Sequence, residues 1–280
     1  MRTKEQMFSR GELRLIGQGA EAEIFELKDG RVLKLLRAWG PVERVASEVA
    51  ALEAARSAGL QVPEALEHVM VNGRPGIVME RLRGTDLLSV MGRKPWLVFR
   101  AGRLTGEVHA RINAARGPAS LPKVKDVAQE MLASLGRRDP AVQLEWIGRI
   151  LARLPDGEAL CHGDFHPGQV MLSDGECVAF DWAGAKRGDP LFDYARTRVL
   201  LTIGEPPPGA PLLFRLLAKL GRRLLVSSYA RSYERNAAEP VDQARVRDWE
   251  VVNLAVRLFE DIPGERPRLM RRLREEERLA

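Results

Sequence analysis

Apolar residues come in short alternating runs over the first third of the chain and recur at helical spacing over most of the rest. Residues 12–17, 23–27 and 31–36 read as three strands, separated by a glycine turn and by an Asp29-Gly30 hairpin turn. Residues 41–58 predict a helix, with Pro41 near its first turn and Gly59 just past its end. Two further strands, 62–66 and 76–79, flank an Asn72-Gly73 turn, which completes a five-stranded sheet with one helix. Beyond Gly84 the pattern turns helical, over 97–115, 124–135 and 142–154. A strand at 159–161, a loop, and a hairpin of 170–172 with 177–180 around Asp174-Gly175 interrupt it. Helices resume over 190–202, 211–235, 240–260 and 266–278, with Pro206-Pro207-Pro208 marking a loop. The chain therefore reads as α+β, a sheet-rich lobe over residues 1–82 and a mostly helical lobe over 83–280.

Composition narrows the class without naming it. With 280 residues, 45% hydrophobic and 29% charged, the chain can bury a sizeable core. The net charge of +6 is spread among acidic residues, so it reads as a solvated surface, and no nucleic-acid partner is expected. The leucine-dense stretch 212–225 is interleaved with Arg215, Lys219, Arg222 and Arg223 and reads as a core stripe, not a membrane-facing one. No run approaches the roughly 18 apolar residues that a membrane span needs, and residues 1–14 lack a signal-peptide core. Cys161 and Cys177 are too few for a disulfide framework or a zinc site and read as small buried residues. A cytoplasmic monomer is the expectation.

The densest chemistry lies in His162-Gly163-Asp164-Phe165-His166-Pro167-Gly168-Gln169, followed after a short hairpin by Asp181-Trp182. This places a carboxylate on a tight loop, an amide five residues on, and a second carboxylate at a strand end. Phosphoryl transfer needs such a set: a group to orient the attacking hydroxyl, and oxygen ligands to hold Mg²⁺ on the nucleotide phosphates. A lone loop Asp can be a turn residue, and an Asp at a strand end can be a cap. Both at this spacing, with the amide between, are hard to obtain as caps.

Two weaker features point the same way. Ile16-Gly17-Gln18-Gly19-Ala20-Glu21-Ala22-Glu23-Ile24 has strands on both sides, and glycines there let backbone N–H groups approach phosphates. A plain hairpin turn explains two glycines as well, and neither a dinucleotide-binding helix nor a Gly-Lys-Ser/Thr loop follows. Lys34 sits in an otherwise apolar strand, where a lone charge is costly without a partner. If Val45, Val49 and Leu52 form the inward face of the next helix, Glu48 lies on that side, while Glu43 points away and Glu53 lies to one edge. A Lys34–Glu48 pair would aim an ammonium at the α and β phosphates; a surface lysine on an edge strand is the alternative. Asp189-Pro190 is an N-cap pattern, and Asp193 is expected to brace the Asp164 loop.

In this order the parts resemble the aminoglycoside phosphotransferase and choline kinase group of protein-kinase-like small-molecule kinases. The sequence of parts is glycine loop, strand lysine, helix glutamate, Met79-Glu80-Arg81-Leu82 connector, Asp164 and Asp181. The likeness runs over residues 12–200 and is strongest from 160 to 196. It implies a bilobal protein-kinase-like fold with ATP between the lobes and Mg²⁺ as cofactor. It further implies Asp164 as catalytic base, Gln169 and Asp181 as metal ligands, and Gly17, Gly19 and Ala20 in the phosphate loop. Lys34 and Glu48 would be the phosphate-positioning pair, and the backbone of Glu80 and Leu82 would hold the adenine edge. The acceptor would be a hydroxyl of a small molecule.

The departures bear on the acceptor and on activity. Gly163 stands where protein kinases carry Arg, Trp182-Ala183 replaces Phe-Gly, and no Ala-Pro-Glu segment follows, which favours a small-molecule kinase. The Gly19-Ala20-Glu21-Ala22 loop nonetheless resembles that of small atypical protein kinases. Gln169 takes the place of the usual Asn, with one more methylene and torsion, whereas Mg²⁺ demands near-ideal octahedral geometry at about 2.1 Å. The reading is an active enzyme with an altered metal site; a nucleotide-binding pseudokinase regulating a partner and an atypical protein kinase stay open. Asp193, Trp249, Glu250, Asn253, Arg257, Glu260 and Asp261 are candidate substrate-lining residues. Outside the terminal Glu275-Glu276-Glu277 there is no dense acidic cluster for a polycation, so a neutral or anionic acceptor is expected.

Overall fold

In the computed structural model, residues 4–5, 13–19, 21–27, 30–37, 42–140, 142–204 and 212–279 are described. Glu12, Ala20, Asp29, Pro41 and the triple proline at 206–208, which figure in the expectations above, lie outside them.

The alternating N-terminal third folds as a sheet of β1 (Lys4–Glu5), β2 (Arg14–Gln18), β3 (Ala22–Glu26), β4 (Arg31–Leu36), β5 (Ala65–Val71) and β6 (Arg74–Glu80). The five strands β5-β6-β4-β3-β2 pair antiparallel, as expected, and the short β1 adds in parallel beside β5. The fourth of the expected strands is displaced, to Ala65–Val71 in place of 62–66. Asn72 and Gly73 both take positive φ, 51° and 73°, the two-residue turn that matches strand twist, so pairing runs right up to it. Polar Glu67 and His68 conceal that run from a hydrophobic pattern.

Strand β4 carries the first link to the site. Its period of two sends Leu33 and Leu35 to one face, against Val69, Val71 and Val78. Val32, Lys34 and Leu36 face the other way, toward α1 (Val42–Ser57), whose Val45, Val49 and Leu52 close that side. The lysine is therefore on the helix side of the sheet.

After the connector come β7 (Thr85–Asp86) and α2 (Leu87–Arg93), neither legible as an element in the sequence because each is so short. Then α3 (Val98–Ala114), α4 (Val124–Arg138) and α5 (Glu145–Arg153) lead to β8 (Ala159–Cys161). The hairpin β9 (Val170–Ser173) and β10 (Glu176–Ala179) pairs with β7, and β11 (Lys186–Gly188), also unforeseen, pairs with β8. α6 (Pro190–Ile203), α7 (Leu212–Asn236), α8 (Gln243–Glu260) and α9 (Arg266–Glu277) complete the helical lobe. No helix among the described residues is long and apolar enough to cross a membrane.

Helices α3 and α7 run side by side from Gly102 and Leu225 onward. The fit is close: a Cβ at Gly106 would lie 2.4 Å from the Tyr229 carbonyl oxygen. The first turns of α7 extend past the start of α3, and there Leu216, Leu217 and Leu220 are more than half exposed. Among the described side chains of the leucine-dense stretch, only Leu225 is buried, which corrects the expectation of a core stripe for residues 216–220. Cys161 is buried as expected, while Cys177 is half-buried.

One apolar core passes from the sheet into the helical lobe beneath the cleft, joining Val45, Val49 and Leu52 to Leu160, Phe165 and Trp182. The Trp182 ring is fully buried and its Nε1 donates to the Ala179 carbonyl oxygen at 3.2 Å. Burying an indole there stabilises the junction by a few kcal/mol, of order 25 cal/mol per Å².

Candidate active site

Lys34 is the point where the two lobes meet chemically. Its Nζ donates to Glu48 Oε1 at 2.7 Å and to Asp181 Oδ1 at 2.8 Å. Burial on its own would lower the pKa of this ammonium, but the two carboxylates outweigh it and hold the group up at about 12. On Asp181 burial acts upward, and the lysine overrides it to keep that carboxyl below its ordinary value. Glu48 is pushed up by burial and pulled down by Lys34; the lysine's own protonation, with two carboxylates facing it, governs the pair. The alternative of a surface lysine on an edge strand is overturned, since β4 lies inside the sheet and Lys34 is buried.

Asp181 follows β10 in the left-handed region, φ 65° and ψ 67°, a conformation Asp tolerates better than most residues. That turn aims its carboxylate back at the cleft, where 46% of the side chain stays exposed. Gln169 Nε2 lies 3.5 Å from Asp181 Oδ2, so the amide and the second carboxylate do converge. The Gln169 backbone is fixed on both sides: its N–H donates to His166 O at 2.8 Å, and its carbonyl accepts from Phe180 N–H at 3.1 Å.

The loop carrying Asp164 is braced from below. Asp193, fully buried at the start of α6, accepts from Gly163 N–H at 2.8 Å and from His162 N–H at 2.6 Å. Asn113 Nδ2 at 3.1 Å and His109 Nε2 at 2.9 Å complete the set, and the far side of that ring meets Tyr229 Oη at 2.7 Å. Burial would raise the Asp193 carboxyl, but His109 and the loop amides drive it far below the usual carboxylate range. Gly163 takes φ 82°, and a Cβ there would stand 2.1 Å from the Gly184 carbonyl oxygen. The arginine of conventional protein kinases has no place on this backbone. The His162 ring donates through Nε2 to the Phe180 carbonyl at 3.1 Å and packs on Phe165 and Trp182, and burial lowers its pKa.

Asp164 itself is 44% exposed and faces the cleft. Arg196 Nη2 lies 3.6 Å from its Oδ1 and 2.6 Å from Glu260 Oε1, and Arg257 Nη1 donates to Glu260 Oε2 at 2.9 Å. Lys186 donates to the Gly184 carbonyl at 2.7 Å behind the same loop; burial, then Arg196, lowers its pKa. Sequence reading missed Arg196, Lys186, His109 and Asn113. For Arg196 a signal existed, because it lies three residues beyond Asp193 on one helix and so shares its face.

The expected lining residues fare unevenly. Trp249, Asn253 and Asp193 are fully buried, so they line no substrate space. Trp249 Nε1 donates to Asp189 Oδ2 at 2.7 Å, and Asn253 Nδ2 to the carbonyls of Phe192 and Trp249 at 3.1 and 2.9 Å. Helix α8 packs these positions inward against α6. Asp189 Oδ1 caps α6 through Leu191 N–H at 3.0 Å, as expected. Glu250 is tied to Arg198 at 2.6 Å, whereas Glu260 holds the Arg196 that neighbours Asp164, and Arg257 holds Glu260. Asp261 is the exposed C-cap of α8. Across the cleft, Gly17 lies near the end of β2 and Gly19 just after it, in a turn to β3 closed by Gly19 N–H to Ala22 O at 2.9 Å. Glu80 ends β6, its N–H on Glu64 O at 2.9 Å, and Leu82 follows in the connector.

A two-lobed fold with a strand lysine paired to a helix carboxylate and to an Asp after the β9–β10 hairpin defines the protein-kinase-like class. Residues 12–225 match the profile of the phosphotransferase enzyme family APH, and the chain belongs to that family. It is a phosphotransferase. Solved structures agree on the fold. A thermostable mutant of aminoglycoside phosphotransferase APH(4)-Ia in its apo form aligns with TM-score 0.63 at 16% identity, covering 94% of each chain. A choline/ethanolamine kinase family protein from Mesorhizobium loti aligns at 0.62 and 18%, covering 95% of this chain and 88% of that one. The amicoumacin kinase hAmiN, solved with AMP-PNP, Ca²⁺ and Ami, aligns at 0.60 and 16%, covering 96% and 89%. No curated protein matches the chain significantly in sequence.

Proposed function

We propose that the chain transfers the γ-phosphoryl group of ATP to a hydroxyl of a small molecule, as a monomer in the cytoplasm. The observation that carries this reading is the Lys34 ammonium seated between Glu48 and Asp181, with Gln169 beside Asp181 and the braced Asp164 loop opposite. Lys34 would bind the α and β phosphates, with Glu48 keeping it aimed. Backbone N–H groups around Gly17 and Gly19 would cover the phosphates, and the family likeness extends this to Ala20. The backbone of Glu80 and Leu82 would hold the adenine edge.

Asp181 and Gln169 would hold Mg²⁺. Both offer the oxygen donors this ion prefers, provided the Gln169 amide turns its Oε1, not its Nε2, toward the cleft. When bound, the ion neutralises charge on the phosphates. Asp164, free on its cleft side, would accept the hydroxyl proton as the oxygen attacks phosphorus in line with the leaving ADP. Gly163 and the absence of a long segment after Asp181 favour a small acceptor over a protein. A neutral or anionic acceptor fits the wall beside Asp164, where Glu260 is matched by Arg196 and Arg257, and Glu265 by Arg257 at 2.6 Å. One neighbour, a thermostable mutant of the aminoglycoside phosphotransferase APH(4)-Ia, is solved with AMP-PNP and hygromycin B.

The test is transfer of label from γ-³²P ATP, with Mg²⁺ or Mn²⁺, to a panel of neutral, anionic and polycationic hydroxyl compounds. Label is expected on neutral or anionic members, and Asp164→Ala should lower transfer by about 10²–10⁴-fold while nucleotide still binds. Undiminished transfer in that variant would remove Asp164 as the base. Nucleotide binding with no label on any compound would favour a regulatory pseudokinase.

A further inference from the structure

We propose that Arg196 is the positioning residue of Asp164, and that Glu260 is the anchor that keeps Arg196 from capturing it. The inference rests on the reading of Asp164 as the catalytic base.

The guanidinium of Arg196 is almost wholly buried and reaches three groups with fixed roles. Its Nε donates to the carbonyl oxygen of Gly163, the residue just before Asp164. Its Nη2 donates to Glu260 Oε1 at 2.6 Å. The same Nη2 stands 3.6 Å from Asp164 Oδ1, outside hydrogen-bond range but inside strong electrostatic range. The planar fork thus pins the peptide that carries Asp164, and it places a positive charge next to the carboxylate without occupying its lone pairs. A base must keep one lone pair for the substrate proton, so this separation suits it better than a closed bidentate pair would.

Glu260 explains why the pair stays open. An unrestrained guanidinium a few ångström from a carboxylate closes to about 2.8 Å. Here the shorter contact goes to Glu260, itself held by Arg257 Nη1 at 2.9 Å, while Arg257 Nε and Nη2 take Glu265 at 2.6 and 2.9 Å. Alternating charges therefore run from the base through α6 and the end of α8 to the start of α9. Because Glu260 keeps Arg257, removing Arg196 leaves no unpaired buried carboxylate. Lysine cannot substitute for the fork, since one ammonium cannot span the Gly163 carbonyl and Glu260 in the same geometry.

Three variants of the full chain test this, two by structure and the arginine variants by kinetics. Crystal structures of Arg196→Ala should show the Gly163 carbonyl turned and the Asp164 carboxylate in a new rotamer. Those of Glu260→Ala should show Arg196 closed onto Asp164 at hydrogen-bond distance. In turnover, Arg196→Ala should lose about 10²-fold in kcat, with KM for ATP unchanged, as expected for a reacting group misplaced by about 1 Å. Added methylguanidinium should restore part of that loss, and Arg196→Lys should not escape it. An unmoved Asp164 in Arg196→Ala, or an Arg196 that stays in place in Glu260→Ala, overturns the proposal. So does a kcat within twofold of wild type in Arg196→Ala. If the wild-type chain turns over no acceptor, the kinase reading fails, and the two structures still decide the positioning role. If Arg196→Ala does not fold, Glu260→Ala alone decides it.

Discussion

Asp181 and Asp193 are only twelve residues apart, yet they are opposite kinds of carboxylate. Asp181 is half open to the cleft, sits on a left-handed turn, and touches one cation and one amide. Asp193 is sealed in the core and accepts from two loop amides, an asparagine and a histidine. On the proposed function, the difference separates a working face from its scaffold. The groups proposed to bind a charged ligand keep contact with water, while Asp193 beneath them is enclosed by its four donors. Precision at Asp164 comes from below, from Asp193 and its buried partners, in the way that sites are held by locked supporting residues.

The sharpest way to break the comparison is Asp193→Asn. The amide presents N–H donors where the loop offers only donors, so about 3–5 kcal/mol of stability should be lost near neutral pH. The pH dependence gives the sign. The folded Asp193 carboxyl lies far below its unfolded value of about 4, so its contribution is complete above that pH and fades as the pH falls below it. Urea midpoints measured at pH 7, 4 and 3 should fall more steeply for wild type than for the variant. Parallel falls would mean that Asp193 is not the scaffold charge.

Lys34→Met tests the other side. It removes a charge of the working face and keeps the apolar stem against α1. Turnover should drop about 10²–10³-fold, the scale of losing one preorganised cation at transferring phosphates. Stability should change less than in Asp193→Asn, because burial already raises the pKa of Glu48 and the orphaned carboxyl can take up a proton. A variant that unfolds as readily as Asp193→Asn would erase the distinction between the two regions.

The working face is the part that was legible in the sequence. A lysine in an apolar strand, a glutamate on the inward helix face and the Asp164–Gln169–Asp181 spacing each break a local pattern, and a broken pattern is visible without a fold. Most of the helices and strands were legible for the same reason, since their periodicity is local. The scaffold was not. His109, Asn113 and Tyr229 are ordinary members of amphipathic helices, and only the parallel packing of α3 on α7 brings them under the loop. The same holds for Arg196 with Glu260, 64 residues apart. In α8, the polar and aromatic positions Trp249 and Asn253 suggested a substrate wall, but they donate buried hydrogen bonds to Asp189 and to Phe192 instead.

The smallest effect concerns the one departure on the working face. Gln169 converges on Asp181, but it turns its amide nitrogen toward Oδ2 at 3.5 Å, a contact at the limit of a hydrogen bond. To serve as a metal ligand it must rotate, and its extra torsion lets it do so at a cost in side-chain entropy of a fraction of a kcal/mol up to about 1 kcal/mol. Gln169→Asn shortens the reach and removes that torsion while leaving the backbone held by His166 O and Phe180 N–H. The variant should therefore need less Mg²⁺ for half-maximal turnover, by a few-fold, with a saturated rate within a few-fold of wild type. Titration of Mg²⁺ at fixed ATP reads this directly. A rate rising from nothing to a kinase level in Gln169→Asn would instead mark the natural chain as a nucleotide binder whose working face lacks one ligand. An unchanged metal requirement would mean that Gln169 does not reach the ion and that Asp181 holds it with the phosphates.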